Sequence, residues 1–284
     1  MAKLAIYNWN IDFMLPHGDS RMNAALAHLE DLTREHRSDE HTAVVINLQE
    51  CVTSDLVNIG QKAWIRDGFY ITDIDTSSWA SGLYGTTMLI DRRLEISSCF
   101  RVHYSATRME RDALFVEASL DPARRIRVCT SHLESLVAHP PLRPAQMEII
   151  ATHMRADNVS GAVVTGDFNA IQPFDRTLHT DSGLEDAYLK LGGQDGDGRD
   201  DDDGGYTWGQ QALPELRKMF GCSRMDKVYF CGDVLKLAEF ERFGADVELD
   251  HGEEDARKEV VSLGFEKPWI TDHLGVKAVF DVAG

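Results

Sequence analysis

Five short polar segments each close or follow an apolar run: NWNID (8–12), LQE (48–50), SHLES (131–135), TGDFN (165–169) and TDH (271–273). Carboxylates, amides and imidazoles gathered at the ends of neighbouring strands are the groups that hold a divalent cation and a phosphate. Glu50 has no basic neighbour in sequence. It is therefore solvated at a sheet rim, the start of a helix near Thr53, or bound to a cation, and Asp272 is the natural second carboxylate. Asn10 and Asn169 can orient ligands or contact phosphate without adding charge. His132 and His273 each stand close to an acid, Glu134 and Asp272. An imidazole oriented by a carboxylate serves as a general base or as a stabiliser of charge developing on phosphate. Asp226 opens an apolar run and could hold such an imidazole from the side. Asp167 is placed to position a water or to take its proton, and Asn169, two residues on in extended chain, points the same way.

The elements that must bring these groups together are legible from periodicity. Buried or alternating runs predict strands at Lys3–Asn10, 43–50, 69–74, 86–90, 94–102, 113–120, 125–135, 161–170, Asp226–Cys231 and 274–282. Helical spacing links Met22, Leu26, Leu29 and Leu32 behind a cap at Asp19 or Ser20, and Leu56, Ile59 and Trp64 behind Thr53 or Ser54. A third helix covers Met147, Ile150 and Met154, with Pro140, Pro141 and Pro144 before or within its first turn. No linker-like break divides the chain before residue 194, and core strands follow that point. The expectation is one domain over residues 1–284: an α/β fold of four layers, α/β/β/α, with two mixed sheets packed face to face and helices outside.

The 284 residues carry a formal charge of -18, which argues against indiscriminate coating of DNA or RNA and leaves only local handling of a polyanion. No apolar run is long enough for membrane insertion. The five cysteines are odd in number and form no CxxC pair, so they read as small buried thiols in a reducing cell. With no secretory segment at the start of the chain, an intracellular protein, cytoplasmic or nuclear, is expected. The stretch 194–205 alternates Asp and Gly and reads as an acidic loop. Trp208 follows it, either as a platform for stacking a base or as an anchor of the loop on the core. Arg143 and Arg224 are expected to make structural hydrogen bonds behind the site.

The ordered set NWNID, LQE, SHLES, RPAQ (143–146), TGDFNA, GLEDAY (183–188), SRMDKVYF and TDHLGV resembles the endonuclease/exonuclease/phosphatase superfamily over nearly the whole chain. SHLES, the Asp directly after Asn-Ile in the first segment, and YTW (206–208) are most similar to its tyrosyl-DNA phosphodiesterase 2 group. The resemblance implies a Mg²⁺-dependent phosphodiesterase, with Mn²⁺ as a substitute, acting on a phosphoester such as a DNA 5′ end. It implies Glu50 as the principal metal ligand, with Asp272 and Asn10 assisting through the metal's waters and Asn10 also facing substrate. Asp167 and Asn169 would position the attacking water. His273, held by Asp226, would stabilise the pentacoordinate phosphorus, and His132 and Ser135 would hold phosphate oxygens. Trp208 and Arg176 complete the substrate-facing set. In that group an arginine closely follows the GD-x-N motif; here Ala170 and Ile171 follow and Arg176 comes later. The alternatives are the same site acting on a phospholipid, sugar phosphate, RNA or abasic-site DNA, and a non-catalytic binding module of the same fold.

Overall fold

Among the described residues of this computed structural model, 1–119, 124–196 and 204–283, twelve strands form two six-stranded sheets. In chain order they are β1 Lys3–Asn10, β2 Thr42–Cys51, β3 Phe69–Ile71, β4 Gly85–Asp91, β5 Glu95–His103, β6 Asp112–Ser119, β7 Arg125–Ser131, β8 Gly161–Asp167, β9 Glu185–Asp186, β10 Asp226–Cys231, β11 Leu235–Phe243 and β12 Gly275–Val282. One sheet runs β11-β12-β1-β2-β4-β3 and the other β5-β6-β7-β8-β10-β9. Both are mixed: β1 and β2 are parallel, as are β7 and β8, and the remaining pairs are antiparallel.

Alternation along the central strands sorts the core into three slabs. Leu4, Ile6, Val45 and Met88 meet Leu114, Val128, Val163, Val228 and Phe230 between the sheets. The opposite face of β1 and β2, with Tyr7, Trp9, Ile46 and Leu48, packs on Met22, Leu26 and Leu29 of the helix Gly18–Leu32 and on Leu56 and Ile59 of Thr53–Gln61. Phe115, Val164 and Tyr229 on the outer face of the second sheet pack on Met147, Ile150 and Met154 of the helix Arg143–Met154. Strands buried on both faces explain the continuous apolar runs of β1, β2 and β8. The result is the expected four-layered α/β/β/α sandwich.

Several boundaries depart from the sequence reading. The run 125–135 leaves the sheet at Ser131, and β3 stops at Ile71 rather than at residue 74. There the chain turns so that Asp73 can bind Arg101 at 2.8 Å. Leu120, predicted to end a strand, lies outside the described residues, as does the core of the acidic stretch at 197–203. Neither β11 nor the helix Glu254–Ser262 was predicted. Cys99 is exposed rather than buried, because its edge strand β5 carries half its side chains outward.

One rim gathers the polar tips. The carboxyl ends of the parallel pairs β1–β2 and β7–β8 lie side by side, and the antiparallel β10 and β12 begin there, with Asp226 opposite Asp167 in register. Just beneath the rim the sheets are joined by a buried polar network. Asn47 donates to Thr165 at 2.7 Å, Thr165 to Asn8 at 2.9 Å, and Gln49 to both Asn8 (2.8 Å) and Thr130 (2.9 Å). Bonds of this kind fix the two sheets against each other where the side chains above must be held within fractions of an ångström.

Candidate active site

Three residues at the rim have left-handed backbone without being glycine: Asp12 (φ 54°), Glu50 (φ 58°) and Asn169 (φ 48°). Such conformations cost energy and persist where surrounding structure enforces them. For Glu50 the cause is visible. The β2–β4 register shifts between Leu48 and Cys51, a bulge that re-aims the side chain out of the sheet's alternation. Its carboxylate then accepts from the backbone NH of Phe13 at 3.0 Å and from Asn10 Nδ2 at 3.3 Å.

Asp167 is the centre of the arrangement. Its Oδ2 lies 3.0 Å from Asn10 Nδ2, 3.2 Å from His132 Nε2 and 3.7 Å from His273 Nε2, while Oδ1 accepts from the Asn169 NH at 2.8 Å. Burial alone would raise its pKa. His132, His273 and the hydrogen bonds outweigh burial and hold the carboxyl well below the usual carboxylate range. The Arg111 guanidinium donates to His132 Nδ1. That leaves the proton of a neutral ring on Nε2, facing Asp167. Burial, then the Arg111 charge, lowers the His132 pKa and keeps the ring neutral. His273 is the opposite case. Its Nδ1 is 2.8 Å from Asp226 Oδ2, and Nε2 faces both Asp167 and Asp272 at 3.7 Å. Burial opposes the charge, but Asp226, Asp167 and Asp272 outweigh it and raise the pKa well above 6.5, so the ring is an imidazolium at neutral pH. One carboxylate is thus flanked by a neutral and a charged imidazole with different tasks.

Glu50, Asp12 and Asp272 lie near enough at this rim to bear on one another's charge. Burial, then Asp272 and Glu50, raises the pKa of Asp12, and burial raises that of Asp272, with Glu50 and Asp167 adding to it. The nearby cation, Arg21, spends its guanidinium on the carbonyls of Ile11 (2.6 Å), Ile270 (2.8 Å), Leu15 (2.8 Å) and Pro16 (2.9 Å). Three crowded carboxylates whose neighbouring cations, Arg21 and the His273 imidazolium, are already held by carbonyls and by Asp226 are a donor set that fits a hard divalent cation. Asp167, Asp226 and His273 also converge, within 4.8 Å of one another. That trio is a poorer ligand set. Asp226 is fully buried and His273 Nδ1 is already engaged by it, so the convergence is a hydrogen-bonded relay.

The sequence candidates are therefore only partly brought together. Asn10, Glu50, His132, Asp167, Asn169, Asp226, Asp272 and His273 share the rim. Asn10 is corrected as a metal ligand: its Oδ1 accepts from the Asp12 NH at 2.9 Å, and the atom it turns to the site is the donor Nδ2, which cannot ligate a cation. Trp208 is corrected as an open stacking platform. It is 8% exposed, packs beside Met225, Ala212 and Ile171, and its indole NH donates to Asp272 Oδ2 at 2.7 Å. Glu134 does not orient His132. It accepts instead from Thr107 (2.7 Å) and the Arg108 NH (2.8 Å). Ser135 is half-buried in a segment tied down by Arg143, which donates to the carbonyls of Glu134 and Leu136. Arg176 is exposed and lines a neighbouring cavity rather than the rim. Arg143 also binds Asp175 through two bonds (2.8 and 2.6 Å), and Arg224 binds Asp186 (2.7 Å), in keeping with structural roles. Sequence reasoning missed Asp12 and Arg111 as site residues. Asp12 carried a signal, since it closes the first polar segment, whereas Arg111 carried none.

A model of the Endonuclease/Exonuclease/phosphatase family matches residues 7–273. Among solved structures, truncated Caenorhabditis elegans TDP2 superposes with a TM-score of 0.68 at 18% identity, over 99% of this chain and 98% of that one. D. rerio TDP2 complexed with single strand DNA product gives 0.70 at 16% identity, over 99% and 100%. The human Nocturnin catalytic domain with bound sulfate anion gives 0.65 at 15%, over 99% and 95%. At these identities the likeness is one of fold. Among curated protein sequences none matches the chain.

Proposed function

The chain belongs to the endonuclease/exonuclease/phosphatase family, and from that premise we propose that it is a divalent-metal-dependent phosphodiesterase that hydrolyses a phosphoester by in-line attack of water. The observation that carries the reading is Asn10 Nδ2 bridging Glu50 and Asp167 while two imidazole Nε2 atoms face the same Asp167 oxygen. Glu50, Asp272 and Asp12 would hold the cation, Mg²⁺ with Mn²⁺ as a substitute. When bound, it offsets charge on the phosphoryl and leaving oxygens.

The remaining work falls to the chain's own groups. Asp167, kept ionised, orients the attacking water with Asn169 beside it. Its depressed pKa makes it a weak base, so positioning is its larger contribution, and it accepts the water's proton as the new P–O bond forms and passes it on to solvent. His273 as an imidazolium cannot take the water's proton and instead stabilises negative charge on a phosphoryl oxygen. His132, neutral, donates through Nε2 and fixes the Asp167 carboxylate.

The substrate we favour is a 5′-phosphotyrosyl DNA end, which would give the protein a part in DNA repair within the cell. The sequence segments that resemble that group and the TDP2 structures among the neighbours support this choice. The described residues include no helix long and apolar enough to cross a membrane. The test is turnover of bis-p-nitrophenyl phosphate and of a phosphotyrosyl oligonucleotide, before and after chelation, with Mg²⁺ added back. Metal-restored activity on both is expected. Turnover of the first alone would move the substrate to another phosphoester, and metal-independent turnover would sink the mechanism.

The indole NH gives a second expectation. Trp208→Phe keeps the ring and removes the donor to Asp272, so it should cost about 10–100-fold in Mg²⁺ affinity or activity. Calorimetric Mg²⁺ titration reads this directly, and an unchanged affinity would show that Trp208 serves only packing.

A further inference from the structure

Around the end of the second sheet from the catalytic rim lies another cavity, of about 340 Å³. It starts where the site stops, at Ala170 and Ile171, directly after Asn169. Successive residues of a strand point to opposite faces. Asp226 of β10 therefore holds His273 on one face while Lys227 lines this cavity on the other. Arg176 and Arg224 line it as well.

Lys227 is the unusual member. It is 3% exposed, yet its ammonium has no hydrogen bond or ion pair among the described residues, and the contact it does make is with the Tyr229 ring at 5.9 Å. The acids around it are committed elsewhere. Asp175 is bound by Arg143, and Asp186 and Asp195 by Arg224. A buried ammonium without a hydrogen-bonding partner is costly, and an anion drawn into the cavity would offset that cost. Burial, reinforced by Arg224, pushes its pKa down to about 8 against the pull of those acids. Arg176, exposed beside it, adds a second cation that solvent-borne ligands can reach.

We propose that Lys227, with Arg176 beside it, forms a subsite for a second phosphate group of the substrate, adjacent to the phosphoester that is cleaved. The inference deepens the phosphodiesterase reading and rests on it for the identity of the anion. A chain of net charge -18 needs such a local grip to retain a polyanionic substrate.

The decisive experiment is binding, read without turnover. The full chain, free of divalent cation, is titrated with inorganic phosphate while its thermal midpoint is followed. The rim carboxylates repel phosphate under that condition, so a rise in midpoint reports the cavity. The rise is expected in the parent and in Glu50→Gln alike, retained in Lys227→Arg and lost in Lys227→Met. No rise in the parent, or a full rise in Lys227→Met, overturns the subsite whether or not the protein proves to be a phosphodiesterase. The activity arm compares kcat/KM on substrates carrying a second phosphate with that on bis-p-nitrophenyl phosphate, which has one phosphorus. In Lys227→Met this ratio should fall about tenfold or more, and the salt slope on an oligonucleotide should drop by about 1. Running a phosphotyrosyl oligonucleotide beside a sugar bisphosphate separates the two sources of the second phosphate, since the ratio falls for the one the cavity serves. A ratio unchanged for both overturns the proposal.

Discussion

Asp167→Asn is expected to lower kcat on bis-p-nitrophenyl phosphate by about 10³–10⁴-fold. The parent carboxylate faces Asn10 Nδ2, His132 Nε2, the Asn169 NH and His273 Nε2, all of them donors. An amide has one oxygen and one NH₂. Whichever way it turns, its own NH₂ meets donors, and the attacking water loses an ionised acceptor. The same conflict should cost about 1–3 kcal/mol of stability, because buried donors are left unpaired. Urea unfolding checks this second figure, and steady-state kinetics with saturating Mg²⁺ checks the first. The depressed carboxyl pKa gives the pH dependence its sign. Its contribution to stability is present above the ordinary carboxylate range of the unfolded chain and is lost as pH falls through the lower folded value. The stability gap between parent and Asp167→Asn should therefore be widest at neutral pH and narrow in acid. Parent-like turnover by Asp167→Asn would remove Asp167 from the mechanism.

The fold was legible wherever burial on both faces forces a continuous apolar run. Asp226–Cys231 was read to its ends for that reason, and the polar tips of β1, β2 and β8 marked the rim because charged groups inside such runs would have been unpayable anywhere else. Edge elements were less legible. LKLAEFERF in β11 mixes charge into its alternation, since its outer side faces water, and a register shift between Leu237 and Glu239 breaks the period. Within the site, sequence gave the right residue types more readily than their geometry. A bulge aims Glu50, and no local pattern announces a bulge. Arg111 reaches His132 from across a strand pair, and such a contact depends on register rather than on neighbours in sequence. Glu134 shows the converse: adjacency to His132 in the chain suggested a partnership, but the strand ends at Ser131 and the acid turns to Thr107 and Arg108 instead.

His273→Gln should cost about 10²–10³-fold in kcat and abolish the alkaline limb of the pH profile. Asp226 governs this behaviour, being wholly buried and 2.8 Å from His273 Nδ1. Against the effect of burial, Asp226, Asp167 and Asp272 raise the imidazole's pKa well above 6.5, so the form that stabilises phosphoryl charge is the protonated one. Activity should be full at neutral pH and fall as pH rises through that elevated value. The linked stability has the same sign: it is present in full below the unfolded-chain value near 6.5 and is lost as pH rises through the folded one. Asp226→Asn separates orientation from charge. It can still hold Nδ1–H through its amide oxygen, but it withdraws the largest of the three charges that raise the pKa, so the alkaline limb should move to lower pH while kcat on the plateau falls less than in His273→Gln. The measurement is kcat/KM against pH for the parent and both variants at fixed salt and Mg²⁺. If the limb stays where it is in Asp226→Asn, the titrating group is not His273. The imidazolium would then have no part in holding charge on phosphorus, and a neutral ring acting as proton acceptor would take its place.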